Sequence, residues 1–154
     1  MAPLLPPIKT RVAGISFENR DGSSRQAYAR LVRRGDRLRL RREPENPHDG
    51  YALAVEWLDA DGRALQLGYV PRALSLVLAP LVDAGAHLEA EVLRKAGGIA
   101  QPMGVRIAIS GELGQAGPSD LEPAIARALV DDGPDRAPAL GGVRATTPSD
   151  APSV

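Results

Sequence analysis

A chain of 154 residues accommodates one domain and a tail but not two large domains, and an apolar share of 44% is that of a globular protein with a single core. It has no cysteine, which excludes a disulfide framework or a thiolate zinc site and is compatible with a cytoplasmic location; its two histidines, His48 and His87, do not make a metal site alone, and no cofactor is expected. A formal net charge of zero excludes a protein that coats nucleic acid by bulk electrostatics.

In chain order, Met1 to Pro7 carries three prolines and runs directly into Lys9 and Arg11. That is not the order of a signal peptide, and residues 1–8 read as an N-terminal arm. Arg11 to Phe17 has the two-residue period of a strand, with Val12 on one face and Ala13, Ile15 and Phe17 on the other. After a turn at Asp21-Gly22, Ser24 to Val32 has helical spacing, gathering Ala27, Tyr28, Leu31 and Val32 on one face with arginines opposite. Leu38 to Glu43 alternates as a strand, with Leu38 and Leu40 inward and Arg37, Arg39 and Arg41 outward. Between Arg20 and Glu43, nine arginines face three acids, a local charge of +6.

The next segment, Arg42-Glu43-Pro44-Glu45-Asn46-Pro47-His48-Asp49-Gly50, stacks two turn-forming dipeptides where one would suffice. Proline fixes φ, Asn and Asp bond their own backbone, and glycine supplies positive φ. Two turns in series put the carboxylate of Asp49 beside the imidazole of His48, an arrangement suited to a ligand site at the rim of a small barrel. Strands follow at Ala52 to Leu58 and Ala64 to Tyr69, separated by a turn at Asp59 to Gly62.

Val70 to Val82 is apolar and too long for a strand, so it reads as a helix that Pro71 can start and Pro80 should end or restart. No apolar run is long enough to span a bilayer. Strands at His87 to Arg94 and Gly104 to Ser110 flank a Gly97-Gly98 loop and complete a domain over 9–114. The last forty residues hold six prolines and no aromatic, so 115–154 reads as a tail outside the core. Within it a short helix at 119–130 would be capped by Ser119 or Asp120, with Ile125, Ala126, Leu129 and Val130 on one face, and disorder is expected beyond Asp131. Six short strands with one or two short helices in about a hundred residues make a mainly β fold, a small OB-like barrel whose closure removes exposed edges.

Three segments taken together, Val12-Ala13-Gly14-Ile15, then Leu40 to Asp49 with Ala52-Leu53-Ala54-Val55, then Leu67-Gly68-Tyr69-Val70-Pro71-Arg72, resemble the HIRAN domain in order and spacing. The resemblance covers Lys9 to Ser110. This family occurs at the N-terminus of fork-remodelling ATPases and as stand-alone bacterial proteins, and its fold is an OB-like barrel with added helices. It implies binding of single-stranded DNA, at a free 3′-hydroxyl end held in a pocket, in the setting of DNA repair or replication. Asp49 would accept a hydrogen bond from the terminal hydroxyl; a carboxylate accepts from a hydroxyl but repels a phosphate, so it favours a free end. Phe17 matches a tyrosine that stacks on a base, His48 stands where a second tyrosine is usual, Tyr69 where a histidine is, and Arg72 where a lysine lies near the phosphates. Arg39 and Arg41, on the outward face of a strand near the motif, are candidate auxiliary phosphate contacts.

The chain departs from the DNA-binding pattern at Ser16, where those members carry an arginine, and at Glu18, where they carry a tyrosine; a closing aromatic near the last strand is missing too. Weaker binding or another ligand is the expected consequence, and it motivates a second reading, a protein-interaction barrel that engages a partner through a sheet edge or the tail. A third, a hydrolase using His48 and Asp49, lacks a serine or cysteine nucleophile in an elbow. Nucleotide hydrolysis lacks its loop, since Lys9 and Lys95 lie in no glycine-rich phosphate-binding context, so the ATPase activity of larger family members is not expected here.

Overall fold

The computed structural model describes residues 3–114 and 121–132, with side chains through Val130. Six strands, β1 (Leu4–Arg11), β2 (Arg37–Glu43), β3 (Ala52–Leu58), β4 (Ala64–Tyr69), β5 (His87–Ala96) and β6 (Gly104–Glu112), form one antiparallel sheet in the order β1-β6-β5-β2-β3-β4. Three helices accompany it: α1 (Arg25–Leu31), α2 (Arg72–Asp83) and α3 (Leu121–Asp132). The fold is mainly β, as the period-two segments predict.

The sheet does not close into the expected barrel. The chain just past edge strand β1 meets the end of edge strand β4 at an isolated antiparallel bridge between Ala13 and Tyr69, whose N–H groups donate to each other's carbonyl at 2.7 and 2.9 Å. The chain cannot extend that bridge into a ladder, because Gly14 at φ 70° turns it away and the Phe17 N–H closes a turn on the Gly14 carbonyl at 3.1 Å. The strand expected over 11–17 is therefore a bridge and a turn.

The first strand lies earlier, inside the segment that reads as an arm. Pro6 and Pro7 suggest an irregular terminus, yet β1 is an edge strand with a register shift between Leu5 and Ile8, one of the few places where a sheet tolerates proline. Leu5, Ile8 and Thr10 are buried, and the Leu113 N–H donates to the Pro3 carbonyl, extending the contact past the strand.

The core is built from Leu53, Val55, Leu67, Leu74, Leu78, Val92, Ile107 and Ile109, all fully buried, with α2 packed on β3 and α1 on β4. Covered in this way, β3 buries Ala52 to Glu56 without the alternation of a half-exposed strand. Ser24 caps α1 by accepting the Ala27 N–H at 3.0 Å, and Trp57 packs half-buried against the core. Pro80 does not end α2 but sits in its last turn; the Ala84 N–H reaches the Pro80 carbonyl at 3.0 Å, so the bonding pattern resumes beyond it.

The tail helix departs most from expectation. Leu121 and Ala128 of α3 belong to the core, with Ile125 packed against it and α2 as its neighbour. The buried face is thus rotated from the one that periodicity favours, and Ala126, Leu129 and Val130 are exposed. The proposed caps Ser119 and Asp120, and the disorder expected past the helix, fall outside the described residues.

Candidate nucleic-acid interface

The loop joining β2 to β3 is organised by Asn46. Its Oδ1 accepts the N–H groups of His48 and Asp49 at 2.8 and 3.1 Å, its own N–H donates to the Glu43 carbonyl, and its Nδ2 donates to Glu43 Oε1 at 3.0 Å and Tyr69 Oη at 3.3 Å. Asn46 is thus both a turn former and the tie between loop and sheet. Asp49 Oδ1 accepts the Tyr51 N–H at 2.9 Å, and its carbonyl accepts that of Ala52. Gly50 is not among the glycines at positive φ, so the loop turns on side-chain acceptors and Pro47 rather than on a left-handed glycine.

These bonds fix the direction of Asp49. With Oδ1 held by the backbone, Oδ2 lies 4.0 Å from Arg72 Nε, the side chains being 20% and 65% exposed. Arg72 is the first residue of α2, directly after Pro71, so helix and loop bring the two together. A carboxylate oxygen with spare lone pairs beside an exposed guanidinium is an acceptor for a hydroxyl next to a donor for a phosphate. His48 is exposed on the same loop.

Tyr69 occupies the junction between this loop and the turn that bears Phe17. Its Oη donates to Glu43 Oε1 at 2.9 Å, and the guanidinium carbon of Arg25 lies 5.3 Å from its ring centroid. Burial, reinforced by Glu43, raises the Tyr69 pKa against the pull of Gln66 and Arg25, which keeps the phenol a donor. At Glu43 burial acts to raise the pKa, but hydrogen bonds from Asn46 and Tyr69 and the charge of Arg41 hold it below the ordinary glutamate value.

Gly68 is the reason Tyr69 can stand there. A Cβ at this position would collide with the Ala13 carbonyl oxygen and come within 2.8 Å of Val12 Cγ1, so the Ala13–Tyr69 bridge needs a residue without one. Phe17 is half-buried, three residues past Gly14, in a turn held from below: Arg25 Nη1 donates to the Gly14 carbonyl at 2.8 Å and Gln26 Nε2 to that of Ile15 at 3.0 Å. The structure links Asp49 with Arg72 directly, and Tyr69 with the loop through Asn46; Phe17 joins through backbone.

Arg39 and Arg41, the candidate auxiliary phosphate contacts, are held inside the protein's own ion network. Arg39 donates from Nε and Nη2 to Glu56 Oε1 at 3.1 and 2.7 Å, while Arg41 Nε reaches Glu56 Oε2 at 2.6 Å and its Nη2 lies 2.8 Å from Glu43 Oε2. Glu56 is buried, with 5% of its surface exposed, and two guanidiniums supply the partners that such a carboxylate needs. For Arg41, burial acts to lower the pKa, but Glu56 and Glu43 outweigh it and raise the value. Arg37 pairs with Glu89, and Arg42 makes a two-pronged contact with Asp83. Much of the basic stretch is therefore internal pairing.

Four residues beneath the site are missed by periodicity. Arg25, expected on the exposed face of its helix, is buried, donating from Nε to Asn19 Oδ1 at 2.7 Å, and burial lowers its pKa against the raising influence of Tyr69 and Glu43. Asn19 in turn donates to the Gln66 carbonyl at 3.0 Å. Glu43 and Glu56 lie in strand segments whose spacing names no partner for either. The one available signal is Glu56 itself, a lone acid beside the apolar run Ala52 to Val55, which register sets opposite Arg39.

The family model described as HIRAN domain matches residues 8–112, from within β1 to the end of β6. A crystal structure of a protein from Lactobacillus plantarum superposes with a TM-score of 0.55 at 23% identity, covering 72% of this chain and 95% of that one, which shows a shared fold. Comparison with curated proteins yields no match. With more than half of its length matched, including the Asn46–Asp49 loop and the Gly68–Arg72 segment, the chain belongs to the HIRAN domain family, a family of nucleic-acid-binding modules.

Proposed function

We propose that this domain binds single-stranded DNA at a free 3′-hydroxyl end. Asp49 Oδ2 accepts from the terminal hydroxyl, Arg72 holds the neighbouring phosphate, Phe17 and His48 stack on the bases, and Tyr69 forms the pocket wall that connects them. The observation that carries this reading is the pairing of Asp49 Oδ2 with Arg72 Nε at 4.0 Å, because a phosphate-terminated strand would bring a second anion against the carboxylate. Arg39 and Arg41, bonded to Glu56, serve the domain's stability in this reading rather than the phosphates. A setting in DNA repair or replication and a cytoplasmic location belong to the same reading. Among the described residues, no helix is long and apolar enough to cross a membrane.

The test is fluorescence anisotropy of a short labelled strand ending in a 3′-hydroxyl beside the same strand ending in a 3′-phosphate. Tighter binding of the hydroxyl end supports the reading; equal binding contradicts it. A second reading, a protein-interaction surface, is favoured by Val130, which α3 leaves 79% exposed, next to Leu129. A nuclease-resistant protein partner lost in Val130→Asp would support that alternative.

A further inference from the structure

On the face of the sheet opposite buried Thr10, Ile107 and Val92, strand pairing aligns three arginines in one row: Arg11 of β1 pairs with Arg106 of β6, which pairs with Arg94 of β5, where a register shift between Val92 and Arg94 brings Arg94 opposite Arg106. Like charges set directly opposite one another across a ladder destabilise a sheet. Arg94 and Arg106 are exposed and make no ion pair with a carboxylate among the described residues. Their situation differs from that of Arg37, Arg39, Arg41 and Arg42, each of which has an acidic partner. The nearest acid in this register is Glu91, one pair along the same face across Ala108 from Lys9 and likewise outside any ion pair among the described residues.

The row starts beside the candidate pocket. Two residues after Arg11, Ala13 bridges to Tyr69, and the Val12 N–H donates to the Val105 carbonyl at 3.0 Å. Gln26 ties the β5–β6 hairpin to the turn that bears Phe17: its Nε2 donates to the carbonyls of Ile15 and Met103, and its Oε1 accepts the Met103 N–H at 2.7 Å. Row and pocket are therefore tied together by hydrogen bonds. With strands about 4.8 Å apart, three adjacent strands carry the row over about 10 Å.

We propose that Arg106 and Arg94, continuing from Arg11, form a second anion-binding track that takes the phosphates of single-stranded DNA lying 5′ of the nucleotide held at Asp49. A polyanion laid across Arg94 and Arg106 neutralises the repulsion between them, which gives the pairing of these two like charges a use. The track rests on the end-binding reading, because that reading supplies the strand and its direction.

The test compares wild type with Arg94→Gln/Arg106→Gln on a twelve-nucleotide strand carrying either a 3′-hydroxyl or a 3′-phosphate, by anisotropy across a salt series. The salt slope of the double variant should be shallower by about 1.4, two phosphates at about 0.7 each, with the preference for the hydroxyl end unchanged. Thermal unfolding is the control for folding, and the variant should melt at or above the wild-type temperature because two opposed charges are gone. A retained hydroxyl preference with an unchanged slope overturns the track alone. Wild type without hydroxyl preference overturns the end reading, and with it the track as an extension of that pocket.

Discussion

Tyr69 Oη donates to Glu43 Oε1 at 2.9 Å, so a phenol kept protonated is bonded to a carboxylate kept ionised, between the loop bearing Asp49 and the bridge that joins the sheet edges. Tyr69→Phe removes the donor and leaves a partly buried carboxylate short of one partner. The expected loss of stability is about 1.5–3 kcal/mol, the range for hydrogen bonds to charged groups, measured by urea unfolding. An unchanged midpoint would mean that Glu43 is satisfied by Asn46 and Arg41 alone.

The same pair sets an acid limit. Because the folded-state pKa of Glu43 lies below its ordinary value, its ionisation contributes stability that is fully present above that ordinary value and is lost as pH falls through the folded one. Glu43→Gln should therefore flatten the pH dependence of unfolding on the acidic side, with no new dependence near neutrality. Urea midpoints measured at stepped pH from neutral into the carboxylate range check this.

Gly68→Ala tests the bridge. The added methyl collides with the Ala13 carbonyl, so the two bonds between Ala13 and Tyr69 should be lost, at a cost of about 2 kcal/mol or more. Amide exchange offers a local readout: the Ala13 and Tyr69 amides should lose protection while those of β5 and β6 keep theirs. Uniform loss of protection would instead mean that the bridge supports the entire sheet.

Arg39→Ala separates pairing from phosphate contact. Removing one of the two guanidiniums on buried Glu56 should cost about 1–3 kcal/mol in unfolding free energy, because the carboxylate loses bonds that water cannot fully replace. The salt slope of DNA binding should not change. A slope shallower by about 0.7 would return Arg39 to the phosphate contacts.

The strands β2 to β6 and the helix over Arg72–Asp83 are legible because period-two alternation, a short apolar run between turn residues in the case of β3, and an apolar run too long for a strand are local properties. β1 is hidden by Pro6 and Pro7, whose tolerance there depends on an edge position that only topology supplies. Likewise α3 follows an apolar stripe, but α2 determines which stripe is buried, favouring Leu121 and Ala128 over Leu129 and Val130. At the site, the turn chemistry of Asn46 and Asp49 can be read from adjacent residues. The cluster of Arg25, Asn19, Glu43 and Tyr69 joins four separate segments, and no spacing along the chain encodes it.

The most direct measurement of the central claim is the affinity of wild type and Asp49→Asn for otherwise identical strands ending in a 3′-hydroxyl or a 3′-phosphate. Asparagine keeps an oxygen for the Tyr51 N–H but removes the charge, so the substitution isolates repulsion of the terminal phosphate. The account predicts that wild type favours the hydroxyl end by about ten-fold, the effect of about 1.4 kcal/mol of charge repulsion, and that Asp49→Asn narrows the gap by binding the phosphate end more tightly. Equal affinities in wild type, or a preference that the substitution leaves untouched, would contradict a role for Asp49 in reading the end.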